Sequence, residues 1–126
     1  MTMTASTLAP GAVSEREMLE WKRLVQDAVE RDVELQLQYF GGANQIIGYR
    51  LFYMLQYAKR AGVRHVAFLS DGVFWIDEAT EWLLESKVDA IHLRLAGGIL
   101  PPALRQRIDR LAELSPAGPP VTVAAS

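Results

Sequence analysis

Three short clusters of small and polar residues each follow a strand-like run, and they could hold a ligand. The clusters are Gly41-Gly42, Ser70-Asp71-Gly72 and Ala96-Gly97-Gly98. Glycine permits tight turns and a close approach of the backbone to a ligand. The first cluster could therefore bring backbone amides to a cofactor, and the second could contact a nucleoside. The alternative is that both clusters are ordinary turns between elements, since Asp and Gly are common turn residues.

Arg94 is the charged side chain that could most clearly take part in binding or chemistry. It alternates with apolar residues in the strand-like run Ala90–Leu95, so it shares a face with other polar side chains. A buried arginine is costly unless it is paired. Two interpretations stay open. One is an interior ion pair with Glu34 of a neighbouring strand, and the other is an anion pocket formed by Arg94 and the Gly97-Gly98 loop.

Several kinds of chemistry are excluded by composition and spacing. The chain has no cysteine, which excludes disulfides, zinc–thiolate sites and cysteine-ligated iron–sulfur clusters made by this chain alone. Its two histidines, His65 and His92, fall on different strand-like runs without carboxylates at metal spacing. The loop at Gly41-Gly42 lacks the ending of a P-loop, and no nucleophile elbow occurs. The sequence therefore predicts no metal site.

Charge and hydropathy limit the partners. The net charge is −2, and the basic residues are scattered apart from Arg105, Arg107 and Arg110, whose spacing predicts a solvated helix face. Nucleic acid is therefore not expected as a partner. No apolar run reaches ~18 residues, so no membrane span is expected. The leader Met1–Val13 does not resemble a signal peptide, and a cytoplasmic location follows by default.

Helical and strand periodicities alternate along the chain. Helices are predicted from Ser14 to Arg31, at Gln45–Ala61, at Asp77–Ser86 and from Pro101, and strands at Val33–Phe40, Arg64–Leu69, Ala90–Leu95 and Val121–Ala124. The order αβαβαβαβ is typical of right-handed βαβ units with a parallel sheet. The sequence thus predicts an α/β fold in which residues 1–13 form a flexible leader and residues 14–126 form one domain.

The polar faces of two strands favour a barrel over a doubly wound sheet. In Val33–Phe40, Leu35 and Leu37 alternate with Gln36 and Gln38, although a parallel strand covered on both faces should be apolar on both. The polar face is expected to line a wet or ligand-holding interior. Four βα units correspond to half of a TIM-type barrel, so we predict parallel (βα) units in a partial or half TIM-type barrel.

Five motifs follow one another in the order and spacing of a known enzyme core. They are Gly41-Gly42-Ala43-Asn44, Tyr57-Ala58-Lys59-Arg60-Ala61-Gly62, Ser70-Asp71-Gly72, Lys87-Val88-Asp89 and Arg94-Leu95-Ala96-Gly97. With these, the segment 14–114 resembles part of the radical S-adenosylmethionine (radical SAM) enzyme core. The resemblance implies a barrel fold with S-adenosylmethionine at the carboxyl ends of the strands. The cofactor-binding residues that it implies are Gly41, Gly42, Ser70, Asp71, Gly72 and Arg94.

The sequence departs from that family at its chemical centre. The family's CxxxCxxC loop follows a strand ahead of the first helix, and neither is predicted ahead of Ser14. Ala43 stands where the family has a cofactor-binding glutamate. Arg94 and Ala96 replace a serine and an aspartate. We therefore expect no iron–sulfur cluster from this chain alone and assign no catalytic residue.

Three functions stay open. The first is a radical SAM-like partial barrel that does not catalyse by itself, as a truncated product or as the subunit of a split enzyme. The second is an interaction module, since an unpaired strand edge attracts another chain, either a second copy or a catalytic partner. The third is an enzyme that uses Arg94, Ser70 and the glycine loops on a phosphorylated small molecule, although no general base is evident.

Overall fold

A computed structural model describes residues 2–6, 15–40 and 45–125, and in this part of the chain parallel strands alternate with helices. The elements are β1 (Thr2–Ser6), α1 (Glu15–Arg31), β2 (Glu34–Tyr39), α2 (Gln45–Ala61), β3 (Val66–Ser70), α3 (Ala79–Ser86), β4 (Ala90–Leu95), a 3₁₀ turn (Ala96–Gly98), α4 (Pro102–Leu114) and β5 (Val121–Ala125). The predicted α/β class is confirmed.

The sheet has the strand order β1-β2-β3-β4-β5, and all neighbouring strands are parallel. Each connection therefore moves one position in the same direction. Because such connections are right-handed, the helices are expected on one face of the sheet. Consecutive helices contact each other, as expected for one layer. This winding is that of (βα) barrels rather than of doubly wound sheets, and it is consistent with the predicted partial barrel.

The two faces of the sheet differ in polarity. The helix-covered face holds the core, in which the buried strand residues are Leu35, Leu37, Tyr39, Val66, Phe68, Ile91, Leu93 and Leu95. The opposite face, called here the open face, carries polar residues on four strands, among them Thr4, Gln36, Gln38, His92, Arg94 and Thr122. The residue pattern of β2 and β4 predicted this alternation correctly. The small side chains of Ala67 and Ala90 lie between the polar ones.

β1 corrects the prediction for the beginning of the chain. Thr2–Ser6 form a strand that pairs in parallel with β2, so a flexible leader was the wrong expectation for these residues. The strand also occupies the position before α1 where none was predicted. Its threonines favour extended backbone, and the free edge of β2 supplies the pairing that isolated residues lack. The rest of the predicted leader and Ser14, which was predicted to begin α1, lie outside the described residues.

The indole of Trp21 joins α1 to α2 by a buried hydrogen bond. Trp21 Nε1 donates to the carbonyl oxygen of Met54 over 2.7 Å. We expect Trp21→Phe to lower the free energy of unfolding by about 1 kcal/mol, because it removes this bond but keeps most of the apolar contact. Urea unfolding measures the change. Trp82→Phe is the matched control, because no hydrogen bond of the Trp82 indole occurs among the described residues, and an equal loss there would contradict the prediction.

Candidate functional site

The carboxyl ends of β3 and β4 form one edge of the sheet, called here the rim. Ser70 and Leu93 are register partners, so Asp71 and Arg94, which follow them, emerge at the same level on neighbouring strands. β2 ends beside them at Tyr39, the register partner of Ser70. The rim therefore brings together the predicted site residues Ser70, Asp71, Gly72 and Arg94. Gly41 and Gly42, together with Ala43 and Asn44, lie outside the described residues.

Ser70 and Asp71 both support the turn that leaves β3. Ser70 is fully buried on the helix-covered face, and its Oγ accepts a hydrogen bond from the Gly72 N–H over 3.2 Å. Asp71 Oδ1 accepts one from the Val73 N–H over 3.1 Å. These are the local bonds with which Ser and Asp stabilise turns. The Ser70 hydroxyl thus faces the core rather than the open face.

Gly72 has a packing reason to be glycine. Its φ is +84°, in the left-handed region, and a Cβ atom placed there would lie 2.7 Å from Leu104 Cδ2 of α4. Any side chain at this position would therefore meet both backbone strain and a neighbour that is itself buried. The space beside Gly72 is filled by α4, so this glycine serves the packing of the helix layer against the rim.

Arg94 lies at the rim with an exposed side chain, and the predicted ion pair with Glu34 was wrong. Glu34 begins β2 at the opposite end of the sheet, where its Oε2 accepts a hydrogen bond from Thr2 Oγ1 over 3.2 Å. The two residues share the open face but are separated by most of a strand length. The alternation of residue types correctly indicated that both residues lie on the open face. It gave no information about how far along the strand direction each residue lies.

His92 lies in the middle of the open face and contacts β5. His92 Nδ1 and Thr122 Oγ1 are 2.6 Å apart, on register partners of β4 and β5. The same row continues across the sheet through Leu69 to Gln38. Thr122 was not predicted as a candidate, because its contact with His92 depends on the pairing between β4 and β5. Among the described residues, no cluster of His, Cys, Asp and Glu could hold a metal ion.

Arg107 departs from the solvated helix face that was predicted for it. Its guanidinium donates to the Trp75 carbonyl oxygen, and Nε lies 3.2 Å from Asp77 Oδ1. These contacts join α4 to the loop that precedes α3, so Arg107 has a structural task. A solvent-open cavity of about 450 Å³ adjoins it, lined by Asp77, Glu78, Thr80, Glu81, Arg107 and Arg110. Charges of both signs line the cavity. None of the predicted site residues is among its lining residues.

The fit of S-adenosylmethionine to the rim is partial. Ser70 is turned towards the core, Gly72 is packed against α4, and Asp71 accepts a hydrogen bond from the Val73 N–H, whereas the Arg94 side chain is exposed at the rim. Arg94 suits a carboxylate, but its cation is unfavourable beside the positive sulfonium of that cofactor. The cofactor therefore stays a prediction of the resemblance, and no chemical step is derived through it.

Comparisons with known proteins do not assign the chain to a family. No family model, curated protein or solved structure matches it. In the part of the chain that the structure describes, no helix is long and apolar enough to cross a membrane. The functional proposals therefore rest on the geometry of the sheet and on the motifs that resemble radical SAM enzymes.

Proposed function

We propose that this chain is a radical SAM-like partial barrel that does not catalyse alone and acts by associating with another polypeptide through an open edge of its sheet. The observation that carries the proposal is the outer side of β5. This strand pairs with β4 on one side, and no described residue pairs with it on the other. A strand in that position presents unpaired N–H and C=O groups.

The exposure of β5 supports association. Its residues Thr122–Ala125 are exposed and Val121 is half-buried, whereas parallel strands are normally covered on both faces and paired on both sides. Natural edge strands are protected by charges, prolines or bulges. β5 contains no charged residue and no proline. Extended strands of this kind recruit a partner strand by backbone hydrogen bonding.

The residues available for chemistry support a non-catalytic role. The chain offers no thiolate for an iron–sulfur cluster. Of the polar groups at the rim, the Ser70 hydroxyl supports a turn and Asp71 caps one. The Arg94 guanidinium offers N–H donors and no acceptor. Association is therefore the activity for which the fold supplies a clear chemical basis.

Light scattering coupled to size-exclusion chromatography tests the proposal on the full chain. We expect the measured mass to rise above that of the monomer as the loading concentration increases, since edge pairing is a mass-action equilibrium. Anaerobic reconstitution with iron and sulfide is expected to give no cluster absorbance. A well-folded monomer at every concentration would contradict association, and a stable cluster would contradict the non-catalytic assignment.

A further inference from the structure

We infer that the occupant of the open edge is a second copy of this chain, whose β5 pairs antiparallel with β5 of the first about a two-fold axis through Val123. This inference rests on the proposed association and specifies its partner, edge and register. The result is a continuous sheet across both copies. The axis is perpendicular to the sheet, so the helix-covered faces of the two copies lie on the same side.

The backbone of β5 presents the required groups. The Ile91 N–H donates to the Pro120 carbonyl over 2.9 Å, and Ile91 is the register partner of Val121. In a parallel ladder, Ile91 therefore bonds to the residues on either side of Val121, namely Pro120 and Thr122. The N–H and C=O groups of Val121, Val123 and Ala125 consequently point away from β4. These are the groups that a further strand would engage.

The symmetric register pairs these backbone groups and places the corresponding faces of the two copies on the same side of the continuous sheet. With Val123 opposite Val123 of the second copy, Val121 lies opposite Ala125, and both residues of each pair have outward-pointing backbone groups. In an antiparallel ladder such pairs exchange both hydrogen bonds. Thr122 then lies opposite Ala124 on the open face. Centring the pairing on Val123 also gives the longest overlap that the five residues of β5 allow.

The side chains on the helix-covered side favour the same partner. Val123 is the register partner of the buried Leu93, yet 40% of it is exposed, because no described element covers it on its outer side. Self-pairing brings two copies of Val121 and Val123 into one apolar stripe. The absence of charges in β5 means that two copies meet without like-charge repulsion.

The other edge of the sheet is a poorer candidate. Met3 on the helix-covered side of β1 is already packed against the core, and α1 contacts β1. A pairing of β5 with β1 of another copy would be head-to-tail, and such contacts either close into a ring, here a completed barrel, or continue into chains of copies. The two-fold pairing of β5 closes after two copies. The positions at which cross-links form along β5, rather than the mass of the dimer, therefore distinguish the two arrangements.

Single cysteines provide the sharpest test, because the chain contains none. In the proposed dimer the two Val123 Cα atoms are about 5.5 Å apart, which is within the range of a disulfide. We expect V123C to form a disulfide-linked dimer on mild oxidation of the native protein. V121C and A125C are the matched controls, because the register separates each from its own copy by roughly 14 Å. A mixture of V121C with A125C is expected to cross-link.

A proline scan of the same strand supplies a second measurement. V123P removes an outward-pointing donor and leaves the ladder to β4 intact, since proline is tolerated where the N–H faces outwards. We expect V123P to remain folded and to be a monomer in light scattering. Its melting temperature is expected to be close to that of the unsubstituted chain at a concentration at which that chain is monomeric. T122P removes a donor to β4 and is expected to lower the melting temperature.

The outcomes separate this inference from the proposed function. Equal cross-linking of V123C, V121C and A125C would overturn the register and the two-fold axis. Association that survives V123P unchanged would overturn the pairing through β5, and the proposed association would then stand only through the other edge of the sheet. A monomer at all concentrations, with no cross-link in V123C, would overturn both.

Discussion

Replacing Gly72 by alanine is expected to lower the free energy of unfolding by about 2–5 kcal/mol, from left-handed backbone strain and from overpacking. The residue has a φ of +84°, and the added Cβ would lie 2.7 Å from Leu104 Cδ2. Cδ2 is a terminal atom of a buried side chain, so relieving the overlap requires Leu104 to repack within the core. Denaturant unfolding of the purified chain without any ligand measures the loss.

Gly62 is the matched control for this substitution. Its φ is +101°, but nothing lies within 4 Å of the position of its Cβ. Gly62→Ala therefore measures the backbone strain alone, and the further loss in Gly72→Ala measures the overlap with α4. Adding Leu104→Ala to Gly72→Ala removes the overlap, so the two substitutions are expected to be non-additive. If Gly72→Ala and Gly62→Ala lowered the free energy of unfolding by the same amount, the packing explanation of Gly72 would be wrong.

Removing the Asp89 carboxylate is expected to lower the free energy of unfolding by about 2–4 kcal/mol. Asp89 Oδ2 accepts hydrogen bonds from Lys59 Nζ and from the Val66 N–H, both over 2.8 Å. The Asp89 N–H in turn donates to the Val66 carbonyl over 2.8 Å. One side chain thus joins the end of α2 to the beginnings of β3 and β4. Asp89→Ala would leave the Val66 N–H without its acceptor and the partly buried Lys59 ammonium with only its long, 3.5 Å contact to the Val63 carbonyl.

Two variants separate the contributions to this effect. Lys59→Met removes the charge but keeps the Val66 hydrogen bond, so its loss is expected to be smaller than that of Asp89→Ala. Asp77→Ala removes an exposed carboxylate from Arg107 and is expected to change stability by about 1 kcal/mol or less. Thermal unfolding of the three variants gives the order. A loss in Asp89→Ala no greater than in Asp77→Ala would refute this account of Asp89.

These two positions show why motifs that resemble a functional site can serve the fold. Gly72 and Asp89 belong to motifs that resemble radical SAM enzymes, Ser70-Asp71-Gly72 and Lys87-Val88-Asp89. In the structure, Gly72 makes room for α4, and Asp89 ties the amino ends of two strands together. The connections between parallel strands require tight turns and contacts of this kind whether or not a ligand binds.

The periodicity of the chain determined the secondary structure and the faces of the sheet. Leucine and glutamine alternate in β2, and a period of two fixes which side of the sheet each residue occupies. The order of helices and strands, together with the right-handed connection, then left few topologies. Among the described strands β1 was not predicted, because Thr2–Ser6 has little apolar content and acquires its pairing from β2.

Tertiary structure decided the contacts between distant residues. Arg94 and Glu34 share a face by alternation, but their levels along the sheet depend on strand register, and they lie at opposite ends. Arg107 sits in an exposed-looking run of arginines, yet it reaches Trp75 and Asp77 because α4 packs beside the loop before α3. The three clusters were recognisable from residue types alone. Other features depend on the strand pairing or on neighbours more than twenty residues away, which local sequence does not encode. They are the burial of Ser70, the space occupied beside Gly72 and the outward direction of Val123.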